Sequence, residues 1–207
     1  MSVTPSKAHF LSLQNTLNNT LHLDFCILDD KNISRATLLT DAVTLSEQLP
    51  NKHYAINLCQ DRYLFIVSYL AVCIRQQVSL LPQNQARNTL QKLSETYPDS
   101  YTLSDDKLAD FYLHKDLLSP SSTQDFPDID IDRPLSISFT SGSTGTPKAI
   151  SKTWREFQTS AGLALQQFKL HDKAITLVST APMQHMFGLE TCLFWVLFSK
   201  LVLHNSR

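Results

Sequence analysis

Residues 138 to 148 read Ser138-Phe139-Thr140-Ser141-Gly142-Ser143-Thr144-Gly145-Thr146-Pro147-Lys148, a run of hydroxyls and glycines ending in a lysine. The glycines tolerate positive φ and let the backbone come close to a ligand, and consecutive N–H groups can converge on an anion as a nest. Thr140, Ser141, Ser143 and Thr144 add neutral donors, and Lys148 adds a flexible point charge suited to phosphate. This is the chemistry of a loop that holds polyphosphate. The competing reading is a Ser/Gly-rich surface turn. The chain has only four glycines in 207 residues, however, and two of them stand three apart here.

The flanks decide which kind of phosphate loop this is. A Walker A loop runs from Gly-Lys-Ser/Thr straight into a helix whose N-terminus helps bind the phosphates. Here Pro147 precedes Lys148, and Ala149 and Ile150 follow it. Leu135, Ile137 and Phe139 alternate with Ser136 and Ser138, the pattern of a half-buried strand. Ala149 to Thr153 reads as a second strand, so the loop closes a hairpin. An ordinary P-loop nucleotide hydrolase fits poorly.

A second cluster follows, Ala181-Pro182-Met183-Gln184-His185-Met186-Phe187-Gly188-Leu189. Taken alone, His185 among Met183, Met186 and Phe187 is the pattern of a near-core histidine. The two runs, in this order and at this separation, resemble the phosphate loop and the next core motif of the adenylate-forming superfamily. That superfamily includes acyl-CoA synthetases, aryl-CoA ligases, luciferases and the adenylation domains of nonribosomal peptide synthetases. The resemblance implies a ligase that activates a carboxylic acid with ATP, giving an acyl-adenylate and pyrophosphate, then passes the acyl group to the thiol of CoA or an acyl carrier protein. It implies that Thr140, Ser141, Gly142, Ser143, Thr144, Gly145, Thr146 and Lys148 hold the β and γ phosphates. His185 takes the catalytic position that orients the carboxylate or gates the thiol, and it also binds the acid. Phe187, Gly188 and Leu189 line the acyl pocket, with Gly188 leaving room for the acid. Mg2+ is expected with the ATP, its contact coming mainly from motifs outside these residues, and no metal ligand is assigned here.

The sequence departs from the family at Ala149, where many members have glycine. Ser151-Lys152-Thr153-Trp154 resembles a subgroup of acyl or aryl acid ligases that serve carrier-protein pathways. The resemblance runs from about residue 34 to about 201, as the first part of a much longer enzyme. Motifs that stack on adenine, supply the acidic metal contact, clamp the ribose and carry the catalytic lysine have no match in the 207 residues. The chain by itself is therefore expected to be inactive. A non-catalytic fragment binding phosphate or a partner is the alternative.

Composition sets the wider frame. The chain is 43% hydrophobic and 18% charged with a net charge of -1, which offers no basic footprint for nucleic acid. Residues 1 to 17 lack a secretory pattern, and the apolar run Leu64 to Ile74 is too short for a bilayer, which takes about 20 residues. A cytoplasmic protein without a membrane span is expected. Cys26, Cys59, Cys73 and Cys192 have no C-x-x-C spacing and read as reduced core residues. Asp128, Asp130 and Asp132 alternate as calcium ligands sometimes do, but lack the glycine and closing glutamate of an EF-hand.

The elements that must position the two motifs are legible from periodicity. Ser34 caps a helix whose Leu38, Ala42, Leu45 and Leu49 form one stripe. Strand 54–58, an apolar helix 61–77 and strand 78–81 form a βαβ unit buried on both faces. A helix follows at 86–96, then a strand at 101–103. Residues 115–133, rich in proline, serine and aspartate, read as a linker or surface loop. Trp154, Phe157, Ala161, Leu165 and Phe168 form a helical core stripe, and Trp195 also reads as packing. Strand 175–179, helix 187–198 and a strand from 201 to 204 complete the order. The fold class is α/β, the N-terminal part of an adenylate-forming large domain: a subdomain portion over 1–114, the linker, and a phosphate-loop and acyl-site portion over 134–207. The strand at 201–204 is expected to lack its next neighbour, leaving the fragment prone to self-association.

Overall fold

The computed structural model describes residues 10–12, 20–114, 128–140 and 148–205. Residues 141–147, the centre of the candidate phosphate loop, lie outside that set, as do 115–127 of the proline-rich stretch. Strand β1 (Phe10–Ser12) precedes a hairpin of β2 (Asp24–Leu28) and β3 (Lys31–Ser34). Its turn places Asp29 and Asp30 at positive φ, a conformation that aspartate tolerates better than most residues. Helix α1 (Arg35–Gln48) starts where the Ser34 side chain accepts from Thr37 N, as the sequence indicated. Strand β4 (Tyr54–Asn57), helix α2 (Arg62–Ile74) and strand β5 (Val78–Leu81) make the expected βαβ unit. Asp61 caps α2, and every residue from Tyr63 to Cys73 is buried. Gln76 ends the helix at φ 55°, a left-handed site where glycine is commoner.

Helix α3 (Arg87–Thr96) leads to β6 (Ser100–Leu103), then to α4 (Asp105–His114), a helix that the periodicity did not reveal. Strand β7 (Asp128–Asp130) pairs antiparallel with β1. The end of the expected linker is thus structured: Ile129 and Ile131 belong to the core. They alternate with Asp128, Asp130 and Asp132, so the aspartates mark the outer side of a chain whose isoleucines point inward. Strands β8 (Pro134–Thr140) and β9 (Lys148–Thr153) form the expected antiparallel hairpin.

Helix α5 (Trp154–Gln167) begins with a capping box. Thr153 Oγ1 accepts from Glu156 N, and a Glu156 carboxylate oxygen accepts from Thr153 N at 2.8 Å. Strand β10 shrinks to Thr176–Leu177. Helix α6 (Met186–Leu189) runs on into a π-helical stretch, Glu190–Trp195, and β11 (Val202–His204) follows.

Two larger sheets organise these elements. One has the order β6-β4-β5-β8-β9, parallel except for β9, so strands from both sides of 115–133 share it. The other has the order β10-β11-β2-β3. Here the expectation for 201–204 is corrected: β11 is an interior strand, parallel to β10 on one side and to β2 on the other. The earlier β2–β3 hairpin, unforeseen in the sequence, supplies that neighbour. The apolar faces of α1, α2, α5 and the π-helical stretch pool with residues of both sheets in one core. Phe157 stacks on Phe194 at 4.3 Å, and Trp154 meets the same ring edge-on at 5.2 Å. Ile56 and Leu80 pack on the opposite face of the first sheet with Leu93 of α3.

Candidate functional site

Strands β4, β5 and β8 run in the same direction, so the segments after them leave from one edge of the sheet. In parallel α/β sheets that carboxyl edge is where ligands bind. Thr140 pairs with Lys148 as the last rung of the β8–β9 ladder, which fixes both feet of the phosphate-loop candidate at this edge. Of the eight loop residues singled out, Thr140 and Lys148 are described, and Lys148 is exposed. Ser141, Gly142, Ser143, Thr144, Gly145 and Thr146 lie outside the described residues.

The second motif reaches the same edge from the other sheet. Residues 179–185 follow β10, and Gln184 Nε2 donates to the carbonyl of Cys59, two residues beyond β4, at 3.2 Å. Arg62, the first residue of α2, donates to the carbonyl of Ser179 at 2.7 Å. Asn205, just past β11, donates to Asp61 at 3.2 Å. These bonds tie the carboxyl ends of β4, β10 and β11 to one another. In the sheet order, β5 alone stands between β4 and β8, so Cys59 and the phosphate-loop foot are about two strand spacings, or about 10 Å, apart along the edge.

His185 is exposed, with its backbone N donating to Pro182 O at 3.1 Å, and it stands immediately before α6. Phe187 is 66% exposed and meets Trp195 edge-on at 6.4 Å. Leu189 has no exposure and sits inside the main core. Gly188 is buried, and a Cβ there would lie 2.1 Å from the Pro182 carbonyl oxygen. Close backbone approach between the 181–185 turn and α6 therefore requires glycine at this position. The structure thus brings His185 and Phe187 to the surface beside the tied edge, while Gly188 and Leu189 face inward.

Two features were missed from sequence. The π-helical stretch is one; such turns are rare and recur at functional sites. Thr191 Oγ1 back-bonds to Phe187 O at 2.8 Å and Trp195 Nε1 donates to Glu190 at 3.4 Å within it, but no side-chain periodicity announces a π turn. The other is Arg35, buried at the start of α1, whose guanidinium donates to the carbonyls of Val196, Leu197 and Ser199. Burial lowers its pKa to about 10. It closes the C-terminal end of the helical stretch that begins at Met186, where a cation suits the helix dipole.

The four cysteines are buried and none is disulfide-bonded. Burial raises the Cys59 thiol to about 12, so it is no nucleophile at neutral pH. Among the described residues no group of three or more His, Cys, Asp or Glu could hold a metal ion. No helix among them is long and apolar enough to cross a membrane. A cavity of about 460 Å³ opens on the α3 side of the hairpin, against Lys92, Tyr97, Phe139 and Ala149.

Solved structures share this fold. O-succinylbenzoate coenzyme A synthetase (MenE) from Bacillus subtilis, in complex with ATP and magnesium ion, aligns with TM-score 0.72 at 16% identity, over 94% of this chain and 57% of that one. ATP-bound MatB from Rhodopseudomonas palustris gives 0.75 at 16% identity, over 94% and 45%. The N-terminal subdomain of Klebsiella oxytoca NpsA, in complex with 3-hydroxyanthranilyl-AMSN, gives 0.71 at 17% identity, over 92% and 51%. At such identities the likeness concerns the fold. The chain spans about half the length of these structures. No curated protein matches the sequence significantly. The family model described as AMP-binding enzyme matches residues 42–205, most of the chain, and the chain belongs to that adenylate-forming family.

Proposed function

We propose that this chain is the N-terminal portion of an ATP-dependent ligase that adenylates an acyl or aryl acid and passes it to the thiol of CoA or a carrier protein. The observation that supports the reading is the Thr140–Lys148 rung, which puts both ends of the 140–148 segment at the carboxyl edge of the parallel sheet, the edge where ligands bind in α/β folds.

In this reading, residues 140–148 hold the β and γ phosphates of ATP. Their donors meet the charge that builds on pyrophosphate as the substrate carboxylate attacks the α phosphorus and the bond to pyrophosphate breaks. Lys148, exposed at the foot of the loop, supplies the positive charge on the leaving-group side. His185 orients the carboxylate or gates the thiol, and Phe187 offers an apolar wall to the acid. Gly188 and Leu189 support that wall from beneath by letting α6 seat against the Pro182 carbonyl and the core. Mg2+ accompanies the ATP, with its protein contact supplied from outside the described residues.

His185→Ala separates this role from packing. In the enzyme extended to the length of its relatives, the variant should slow adenylate formation or transfer to a thiol by tenfold or more, in the range of one acid–base or orienting group, with ATP affinity held within about twofold. Single-turnover adenylation and thiol transfer measured separately check it. Parent rates in both steps would return His185 to a surface residue without a catalytic part.

A further inference from the structure

The cavity of about 460 Å³ beside the hairpin lies in the size range of small-molecule sites and has no place in the function proposed above. Its floor is apolar. Phe139 and Ala149 face each other across the β8–β9 ladder, one rung inside the Thr140–Lys148 pair, and Phe139 packs on the side of the sheet that carries Ile56, Leu80 and Leu93. Leu93 and Tyr97 complete that wall, the Tyr97 ring standing edge-on to Phe139 at 6.2 Å. The facing wall is polar. Asn88, Thr89, Lys92 and Thr96 recur at helical spacing along one side of α3 and line the cavity, while Leu93 alone of that helix is buried. A helix that only packed on this sheet would turn an apolar row towards Phe139. The row is polar instead, so the cleft is amphipathic.

Among the described residues that line the cavity, Lys92 alone carries a charge. Its ammonium enters no ion pair among the described residues, and Glu95, three residues on, is engaged by Gln91 at 2.9 Å. We propose that this cleft is a binding site for a small aromatic monocarboxylate, its ring against Leu93, Tyr97 and Phe139 and its carboxylate on Lys92. One cation matches one negative charge, whereas a polyphosphate would bring charges that no lining side chain meets. The oxygen of the Asn88 amide accepts from Thr89 N at 2.9 Å, which leaves its NH2 as a donor for the second carboxylate oxygen. A ligand ring added beside two rings already set edge-to-face gains more than plain burial. The site stands apart from adenylation: this chain should bind the acid whether or not it activates one.

The test titrates this chain with 2-naphthoate and with the uncharged 2-naphthamide, read by the NMR signals of its backbone N–H groups. The acid should saturate with a Kd below about 1 mM, the shifts centring on 88–97, Phe139 and Ala149. The carboxamide should bind the same residues about tenfold more weakly. Lys92→Gln should lower affinity for the acid by about tenfold and leave the carboxamide within about twofold, as loss of one charge-assisted contact does. Ala149→Trp, which puts a ring into the cleft, should abolish binding of both, with unchanged signals from α2 showing that each variant is folded. If that variant does not fold, Lys92→Gln decides alone. The proposal is overturned if the shifts centre on 163–195, the exposed apolar stretch and the His185 turn, or if acid and carboxamide bind alike. It is equally overturned if Lys92→Gln holds the acid as the parent does, or if adenosine monophosphate binds the cleft more tightly than the acid.

Discussion

The β4–α2–β5 unit and the stretch from 163 to 187 use similar residues to opposite ends. In α2 eleven consecutive side chains are buried, because sheet and helices enclose it from every side. In 163–187, leucine, phenylalanine, isoleucine and valine stand in solvent beside a two-residue edge strand. The contrast teaches that hydrophobicity along the chain does not locate the core: enclosure does, and it depends on how many layers surround an element. The candidate site lies at the boundary of the two regimes, its His185 and Phe187 exposed and its Gly188 and Leu189 buried within five residues.

The comparison can be broken most forcefully in the core. Phe194 has no exposure and touches Trp154, Phe157, Tyr69 and Phe198. Phe194→Ala should cost about 3 to 5 kcal/mol, the range for a buried phenylalanine, read from denaturant unfolding of the chain. A cost under about 1 kcal/mol would mean that the ring cluster is not closed as described.

Gly188→Ala probes the boundary. The added methyl meets the backbone carbonyl of Pro182, which cannot swing aside as a side chain could. A loss of about 1 to 3 kcal/mol is expected, with increased hydrogen exchange over 182–189. Unchanged exchange there would show that the 181–185 turn gives way freely, and that the glycine serves another purpose.

The smallest effect belongs to the open face. Leu163 is 64% exposed, so Leu163→Lys should move stability by no more than about 0.5 kcal/mol while lowering dye binding to the apolar face. A loss approaching that of Phe194→Ala would erase the distinction between the two regions.

Much of this was legible in the residues. The stripe from Leu38 to Leu49 and the apolar run of α2 became the expected helices, and the alternation before Thr140 became a strand, but one covered on both faces, with Ser136 and Ser138 buried rather than facing solvent as a half-buried strand would have them. Residues Thr153 to Glu156 also held a readable signal, Thr-x-x-Glu, of the capping box. What stayed hidden is non-local or weakly periodic. The neighbour of β11 is β2, more than 170 residues earlier, and nothing in Val202–His204 points to it. The π turn leaves no mark beyond helical spacing. Arg35 looks like a surface residue until the helix end that it closes is in place. At the site, motif order was readable, whereas the inward turn of Gly188 and Leu189 follows from the Pro182 carbonyl, a contact that only the folded chain creates.

The central claim is that 140–148 is the phosphate-holding half of an adenylating site. Acid-dependent ATP–pyrophosphate exchange tests it most directly, with this chain alone, with the chain extended to the length of its relatives, and with Lys148→Ala in the extended form. The account predicts no exchange above background for the chain alone, exchange in the extended enzyme, and a loss of about ten- to a hundredfold in the variant, the worth of one charge-assisted contact of roughly 1.5 to 3 kcal/mol. Full exchange by the 207-residue chain, or by the extended enzyme carrying Lys148→Ala, would contradict it.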